Sequence, residues 1–461
     1  MRNKVLIVFL LLSVCLPVAL RAQVTAPARY VLLVTVDGFR PEFYLDSAYG
    51  MPTVRELMKH GVAAEGVNPV FPSVTYPDHT TMVTGVTPAK HGIYYNTFFE
   101  PAGSTGQWYW DYKLIRTPTI WSAMHDAGKT TACVRWPVTY EAPIDYRIPE
   151  YWDPKNMQDS RGATAAATWP LALWKEVQDS ATGYLRAEDI ASDHEELIAD
   201  ENMGRIAGYI LRRYKPNFMA VHLAATDHYE HEEGRDAYIV KAAVSGADRA
   251  IKTMLEGLRR AGIADSTLVV ILGDHGFENI YRSFNPNAVL ALNGLIGDVK
   301  KGQWKAQFHS SGGSGFLQLK DPKDVKTLER VKQLLTALPD TTRQYFAVVD
   351  KGKLTAVGAD PGVQLAITGL NGTTIGNGTQ QLMVTFPKVK GTHGFFPDHQ
   401  QIRTGFVACG PGLQAGVLIP EMNMVDVAPV IVALSGIKLE GMEGKVPAAI
   451  LNSQRQAVGS K

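Results

Sequence analysis

Tyr30-Val31-Leu32-Leu33-Val34-Thr35-Val36-Asp37-Gly38-Phe39-Arg40 is the stretch on which the architecture turns. Its first seven residues are apolar except for Thr35 and rich in β-branched side chains, which reads as a strand covered on both faces. A carboxylate and a glycine follow where that strand must end. The theme recurs along the chain. A helical pattern surrounds 54–60, another over 120–127 precedes a β-rich run at 130–134, and apolar runs at 217–224 and 268–272 flank a long amphipathic stretch at 236–261. Continuous apolar strands separated by helices predict a mostly parallel central sheet with helices on both faces, a three-layer α/β/α sandwich.

Two stretches leave this rhythm. Residues from about 140 to 192 are rich in Pro, Trp, Tyr and Asp, and those from about 284 to 390 show short strands, one helical pattern at 325–338 and a Gly/Thr-rich segment at 368–380. Both are expected to be insertions on one catalytic domain over 28–440, followed by a C-terminal tail at 441–461. Asn371-Gly372-Thr373 and Asn377-Gly378-Thr379 read as turns. At the other end, Arg2 and Lys4 precede an apolar run to Leu20 and then Arg21-Ala22-Gln23, the pattern of a cleaved signal peptide over 1–22. A periplasmic or secreted protein follows, with no transmembrane span in its mature form. Cys15 is a poor lipoprotein cysteine because Val14 precedes it, although lipoprotein and soluble export both stay open.

The charge is nearly balanced, with 46 basic and 45 acidic residues, so neither duplex nucleic-acid binding nor a polybasic membrane patch is expected. Beyond the leader only Cys133 and Cys409 remain. Both sit in apolar, strand-like runs and read as buried free thiols, not as a disulfide framework.

The acids and histidines fall in a telling place. Asp37 follows the first strand; Asp227 lies just past the run at 217–224, with His231 four residues on; Asp274 and His275 follow the run ending at Gly273; His393 lies in Gly391-Thr392-His393-Gly394. The carboxyl ends of strands in such a sheet converge on one crevice. Each residue alone is weak: an aspartate after a strand is as readily a helix cap, an Asp and a His four apart a surface ion pair, His275 a loop support. Three aspartates and three histidines at strand ends together predict a metal site, and mixed carboxylate and imidazole ligands suit zinc better than calcium or magnesium. Charge favours two ions, because three ionised aspartates repel strongly and two Zn²⁺ leave a net positive site for a phosphate ester. For a nucleophile, the run Phe71-Pro72-Ser73-Val74-Thr75-Tyr76-Pro77-Asp78-His79-Thr80-Thr81 leads into a helix, whose N-terminus favours anions. Thr75 is the candidate, with helix capping by Ser73, Thr75, Thr80 and Thr81 as the plainer alternative. Asn96, in His91-Gly92-Ile93-Tyr94-Tyr95-Asn96, supplies an amide for a phosphate oxygen, or else a turn.

With these segments in this order, the chain resembles the nucleotide pyrophosphatase/phosphodiesterase family of the alkaline phosphatase superfamily. Val36-Asp37-Gly38-Phe39-Arg40 matches that family's V-D-G-x-R opening, 71–79 its F-P-x-x-T-F-P-N-H segment with Thr75 in the nucleophile position, and 84–96 its T-G-x-x-P-x-x-H-G-I-x-x-N run. The likeness covers 31–137 and returns at 227–231, 273–276 and 391–413. It implies an alkaline-phosphatase-like fold and two Zn²⁺ ions, one held by Asp227, His231 and His393, the other by Asp37, Thr75, Asp274 and His275. It further implies that Asn96 and the Thr75 N–H steady a non-bridging phosphate oxygen, and that Thr75 attacks to give a phosphothreonine intermediate that is then hydrolysed. Asp78 stands where the family has Asn and Gly273 where Ser is common; neither is a ligand. His79, Asp398 and His399 are expected to be supports and not ligands.

The resemblance implies a phosphoric ester hydrolase acting on phosphodiesters or nucleotide pyrophosphates, with a small substrate of nucleotide or lipid-headgroup type. An alkaline phosphomonoesterase or a phosphonate hydrolase on the same scaffold is the near alternative, whereas Thr75 argues against a sulfatase. A monoester needs extra positive charge, and Arg135 is the one candidate, unless it is a strand-end arginine paired with a carboxylate. The aromatic cluster Tyr94, Tyr95, Phe98, Phe99, Trp108, Tyr109 and Trp110 either lines a leaving-group pocket for a nucleobase or choline-type cation or belongs to the core. Phe71 is a pocket candidate because it matches a family position near the substrate. A catalytically inactive exported binding protein is the alternative of another class; all seven metal-contacting positions are filled, which argues against it.

Overall fold

Leu32, Val34 and Val36 leave one face of β1 (Tyr30–Val36), Val31 and Leu33 leave the other, and none of the five exceeds 1% exposure. Such a strand is buried on both faces, and the two sets of side chains enter two separate hydrophobic clusters. The computed structural model describes residues 27–452 except 158, 188, 191–195 and 381. The leader expected over 1–22 therefore lies outside the described residues.

β1 is central to a nine-stranded sheet. Its other strands are β2 (Val62–Asn68), β3 (Thr131–Val134), β4 (Tyr146–Ile148), β5 (Phe218–Leu223), β6 (Thr267–Leu272), β7 (Thr404–Cys409), β8 (Val417–Ile419) and β9 (Met422–Asn423). The spatial order is β8-β2-β7-β6-β1-β5-β3-β4, with β9 also on β2. All pairings are parallel except the two made by β7, which runs against β6 and β2. One face carries α1 (Pro52–His60), α4 (Glu196–Tyr214) and α6 (Tyr238–Ala261); the other carries α2 (Thr75–Thr84), α3 (Ile120–Asp126) and α7 (Val427–Ser435). The fold is thus the expected α/β/α sandwich. β2 escaped the periodic reading because Glu65 and Gly66 interrupt it, and α4 because the charged residues at its start mask its apolar face.

Ile271 sits unexposed in β6, between β1 and β7. Ile271→Ala is expected to cost about 2–5 kcal/mol, through lost transfer energy and a cavity that a flanked strand cannot collapse. Urea unfolding of the metal-free protein measures it; a loss below about 1 kcal/mol would contradict this packing.

Residues 284–390 build a four-stranded antiparallel sheet of Phe346–Asp350, Leu365–Gly369, Ser314–Leu319 and Ala306–Ser311, in that order. The expected helix runs over Val325–Thr336. It is not alone: Pro286–Leu292, Asp340–Arg343 and Lys351–Ala356 are helices too short to show a 3.6-residue period. This segment has its own core, in which Phe284 stacks on Phe346 at 4.6 Å. Residues 441–452 are part of the packed body, since Ile450 is unexposed and Glu443 N–H donates to Gly85 O at 2.8 Å. Cys133 is buried as expected, but Cys409 is only half-buried, because it is the last residue of β7 and one side of it opens outward. Among the described residues no helix is long and apolar enough to cross a membrane.

Candidate active site

The three central strands end side by side. Asp37 leaves β1, and Asp274 and His275 leave β6 two residues after its end. After β5 the chain turns into α5 (Ala225–Glu233), which places Asp227 and His231 one turn apart on one side. The start of α5 is pinned from behind: buried Asp200 accepts the N–H groups of Ala224 and Ala225 at 2.9 and 3.3 Å. His393 arrives from the far insertion on Gly391–Thr392, paired antiparallel with Glu278–Asn279. Thr75 is the first residue of α2.

The six acids and imidazoles meet in two overlapping groups. In one, His231 Nε2 and His393 Nε2 each lie 3.5 Å from Asp227 Oδ1 and 3.1 Å from each other. In the other, His275 Nε2 lies 3.4 Å from both Asp37 Oδ1 and Asp274 Oδ2. Ligand atoms about 2.0 Å from a tetrahedral zinc stand about 3.3 Å apart, so these spacings are those of a donor set around an ion. His275 stands at the junction, its ring stacked on that of His393 at 3.6 Å, and its donor atoms also fall within 4.8 Å of those of Asp227 and His393. The pairwise distances put His231 beside Asp227 and His393 as well, so both His231 and His275 border that group. Asp37 Oδ1, Asp227 Oδ1, Asp274 Oδ2 and His275 Nε2 are all buried without a hydrogen-bond partner. Orphaned acceptors in such number are what a cation would satisfy.

Electrostatics agree. Burial, then the charges of Asp227 and Asp274, hold the Asp37 carboxyl well above the usual range, and burial and Asp227 push Asp274 up to about 7. Burial lowers His393 to about 4 and holds His275, beside His393, well below its ordinary value. His275 and His393 are therefore held neutral, with a lone pair open to an ion.

A layer of side chains orients these groups. His231 Nδ1 donates to Gly391 O at 2.9 Å and His393 Nδ1 to Ser73 O at 3.1 Å, which turns both Nε2 atoms toward Asp227. His79 Nδ1 donates to Thr75 O at 2.8 Å, and its Nε2 accepts from the Thr35 hydroxyl at 2.9 Å. His222 Nδ1 lies 3.1 Å from both Thr35 Oγ1 and His79 Nε2, and its Nε2 faces Asp37 Oδ2 at 3.4 Å and Glu150 Oε2 at 3.7 Å. Glu150 Oε1 accepts from Tyr76 O–H at 2.8 Å. Asn96 Oδ1 accepts the Tyr76 N–H at 2.9 Å, which leaves the amide nitrogen as a free donor beside the start of α2. Sequence reasoning missed His222, Glu150 and Thr35. The one available signal was a histidine inside an apolar strand; Glu150 lies in a Pro-rich insertion with no period.

The hydroxyls of the nucleophile run separate cleanly. Ser73 donates to Phe395 O, Thr80 to Tyr76 O and Thr84 to Thr80 O, while Thr81 pairs with His91. None caps α2, whose N-cap carries no side-chain hydrogen bond. Thr75 alone of these lines the cleft, together with Asp37, Asp227, His231, Glu150 and Arg135. The cleft holds about 360 Å³, and its opposite wall comes from Trp108 and from Tyr151, Trp152 and Trp174 of the 140–192 insertion.

Other residues fall elsewhere. Phe71 does not reach the cleft: it is unexposed and packs between Phe316 and Phe396 at 5.0 and 5.1 Å. Of the aromatic cluster only Trp108 reaches the cleft, whereas Tyr95 and Trp110 are buried and Phe98 stacks on Tyr109. Asp78 accepts the Val70 N–H at 2.8 Å, and His399 pairs with Glu278 at 2.9 Å. Arg135 has a left-handed backbone (φ 54°) and donates from Nη1 to Ile190 O at 2.5 Å. Among the described residues no carboxylate lies within ion-pair distance of it, although its charge acts on buried Glu150 and Asp200 and opposes the effect of their burial.

The chain is similar to known proteins in sequence and in fold. A family model described as type I phosphodiesterase / nucleotide pyrophosphatase matches residues 31–359. Human ectonucleotide pyrophosphatase/phosphodiesterase family member 5 is 25% identical over 284 residues, covering 60% of this chain and 50% of the relative. The Xenopus laevis bis(5'-adenosyl)-triphosphatase enpp4 is 23% identical over 422 residues, covering 88% of this chain and 78% of the relative. The match thus spans half of the first relative's length. Among solved structures, human ectonucleotide pyrophosphatase/phosphodiesterase 5 superposes with a TM-score of 0.65 at 21% identity, covering 92% of this chain and 100% of that chain. An inactive murine form of the same protein in complex with AMP gives a TM-score of 0.61 at 19% identity, covering 90% and 97%.

Proposed function

The chain belongs to the type I phosphodiesterase / nucleotide pyrophosphatase family, and from that premise we propose that it is an exported two-zinc hydrolase that cleaves phosphodiesters or nucleotide pyrophosphates through a phosphothreonine intermediate. The observation that carries this reading is the convergence of orphaned carboxylate and imidazole atoms beside Thr75, the one hydroxyl of its run that lines the cleft. Asp227, His231 and His393 would hold one ion; Asp37, Thr75, Asp274 and His275 would hold the other. When bound, such ions supply positive charge that lowers the pKa of a hydroxyl and offsets the charge of a phosphate.

The chain's own groups do the rest. Thr75 Oγ1 gives up its proton and attacks phosphorus, the bond to the leaving oxygen breaks, that group departs and takes a proton from solvent, and the remaining phosphoryl ester stays on the threonine. The Asn96 amide, oriented by the Tyr76 N–H, and the backbone N–H of Thr75 donate to a non-bridging oxygen as its charge grows. Water then cleaves the phosphothreonine and restores the hydroxyl. The aromatic wall of Trp108, Tyr151, Trp152 and Trp174 suits the flat face of a leaving group. A nucleotide is favoured over a lipid headgroup, since the Xenopus laevis relative is named for a dinucleoside triphosphate and the murine neighbour holds AMP. Export rests on the basic start and apolar run of residues 1–22.

One observation favours a second reading. The Arg135 guanidinium lines the same cleft with no carboxylate paired to it among the described residues, so it is available to a phosphate bearing a second charge. Steady-state kcat/KM on bis-p-nitrophenyl phosphate and p-nitrophenyl phosphate, near pH 8, tests both readings. A diester preference supports the phosphodiesterase; a monoester preference transfers the same machinery to a phosphomonoesterase. Arg135→Ala is expected to lower kcat/KM for the monoester about tenfold more than for the diester, in keeping with about 1.5–3 kcal/mol for a hydrogen bond to a charged group. Equal losses on both would remove Arg135 from substrate binding.

A further inference from the structure

Glu230 lies on α5 between the two metal-binding candidates Asp227 and His231, yet its side chain turns the other way and is unexposed. It meets Arg40, 1% exposed, with Nε 2.9 Å from Oε1. The contact is one of charges more than a directed hydrogen bond, since neither atom satisfies hydrogen-bond geometry. Burial raises the Glu230 carboxyl and opposes the Arg40 charge, but Arg40 is held charged by Glu230, Glu42 and Asp236. The remaining guanidinium atoms continue the tie: Nη1 lies 2.9 Å from Glu42 Oε1 and 3.1 Å from Asp236 Oδ1, and Nη2 donates to Arg235 O at 2.7 Å.

The segments that carry Asp37 and His393 touch Glu230, and the one that carries Asp274 and His275 reaches α5 through Phe277. Gly38, next to Asp37, is so close that a Cβ there would stand 2.4 Å from Glu230 Oε2 and 3.2 Å from the Phe277 ring. Gly391, two residues before His393, would place a Cβ 2.3 Å from Glu230 O and 3.1 Å from Phe277. Phe277 itself follows His275 by two residues and packs edge-on to His231 at 4.8 Å. Side-chain-free backbone at both glycines is the condition for this convergence.

We infer that the Arg40–Glu230 pair is a positioning strut that sets the rotation of α5 against the ends of β1 and β6, and so the spacing between the two groups of metal-binding side chains. The inference rests on the two-ion reading above. A buried ion pair is a poor source of stability, because its desolvation offsets its attraction, but breaking it leaves an uncompensated buried charge, so the two groups hold each other in place. Groups behind metal ligands commonly govern affinity by 10- to 100-fold.

The test is titration of the metal-free full-length protein with Co²⁺, followed by visible absorption, which reports coordination geometry, beside thermal unfolding of the metal-free forms. Glu230→Gln keeps shape and removes charge; it is expected to bind Co²⁺ at least tenfold more weakly, with a changed spectrum. Because a lone buried Arg40 could also weaken the fold, the double variant Arg40→Met/Glu230→Met is the second probe. It is expected to recover the metal-free Tm without recovering affinity or spectrum, a split that a merely structural role would not produce. Either variant binding Co²⁺ with unchanged affinity and spectrum overturns the strut. Unsubstituted protein that takes up no Co²⁺ overturns the two-ion reading itself, and the strut with it.

Discussion

Thr75→Ala is expected to reduce kcat/KM on a diester by about 10⁴-fold or more, the scale of losing a covalent nucleophile. The expectation comes from elimination within one helix and its approach. Ser73, Thr80, Thr81 and Thr84 spend their hydroxyls on backbone or on His91, so none can replace Thr75 at the cleft. The substitution removes one oxygen and leaves the backbone N–H of Thr75, the Tyr76 N–H that orients Asn96, and the six other proposed ligands in place. Metal content measured by mass spectrometry should therefore stay close to that of the unsubstituted protein while turnover disappears. Thr75→Ser, which keeps the hydroxyl, should recover part of the rate, and unsubstituted protein acid-quenched during diester turnover should carry the substrate's remaining phosphoryl ester on residue 75. Alanine at this position with activity within tenfold of normal would sink the nucleophile assignment.

The parts of the molecule legible beforehand are those whose signal is local. β1, β5 and β6 are buried on both faces, so their sequence is apolar but for Thr35, His222 and Thr267, and their ends are marked by the change to Asp37-Gly38, Ala224-Ala225 and Gly273-Asp274. Because those strands are neighbours, the residues just past them had to meet, and they do. Where pairing is long-range the signal fades. β7 joins the sheet antiparallel from more than a hundred residues beyond β6, and β2 is interrupted by Glu65 and Gly66. The supports were hidden for a different reason. His222 looks like a flaw in a strand until its neighbours Thr35 and His79 are brought alongside, and Glu150 gains meaning only against the Tyr76 hydroxyl. Phe71 shows the converse risk. Its match to a family position near the substrate made it a pocket candidate, but Phe316 of the far insertion and Phe396 beyond it bury it.

Asp274→Asn should produce a different failure from Thr75→Ala, loss of one ion followed by loss of rate. Asp274 is unexposed, and its Oδ1 already accepts the N–H groups of Gly38 at 3.1 Å and His275 at 3.0 Å. An asparagine keeps those two bonds only by turning its amide nitrogen to the place of Oδ2. That atom has no hydrogen-bond partner now and lies 3.4 Å from His275 Nε2. An N–H₂ there offers no lone pair to an ion, so the group of Asp37, Thr75, Asp274 and His275 loses a ligand while Asp227, His231 and His393 keep theirs. About one bound ion per chain should be lost, and kcat should fall by roughly 10³-fold, about 4 kcal/mol of barrier. Proton release offers an independent check. Asp274, held at about 7, is partly protonated near neutrality in the metal-free protein, and burial with the neighbouring carboxylates pushes Asp37 the same way, whereas His393, lowered to about 4, is not protonated there. Metal uptake must therefore release protons at neutral pH, and affinity must weaken as the pH falls below about 7. Asp274→Asn removes one of the two donors, so calorimetry in buffers of different ionisation enthalpy should record fewer protons released per ion bound. Unchanged metal content, rate and proton release in this variant would take Asp274 out of the ligand set, and with it the charge argument for a second ion.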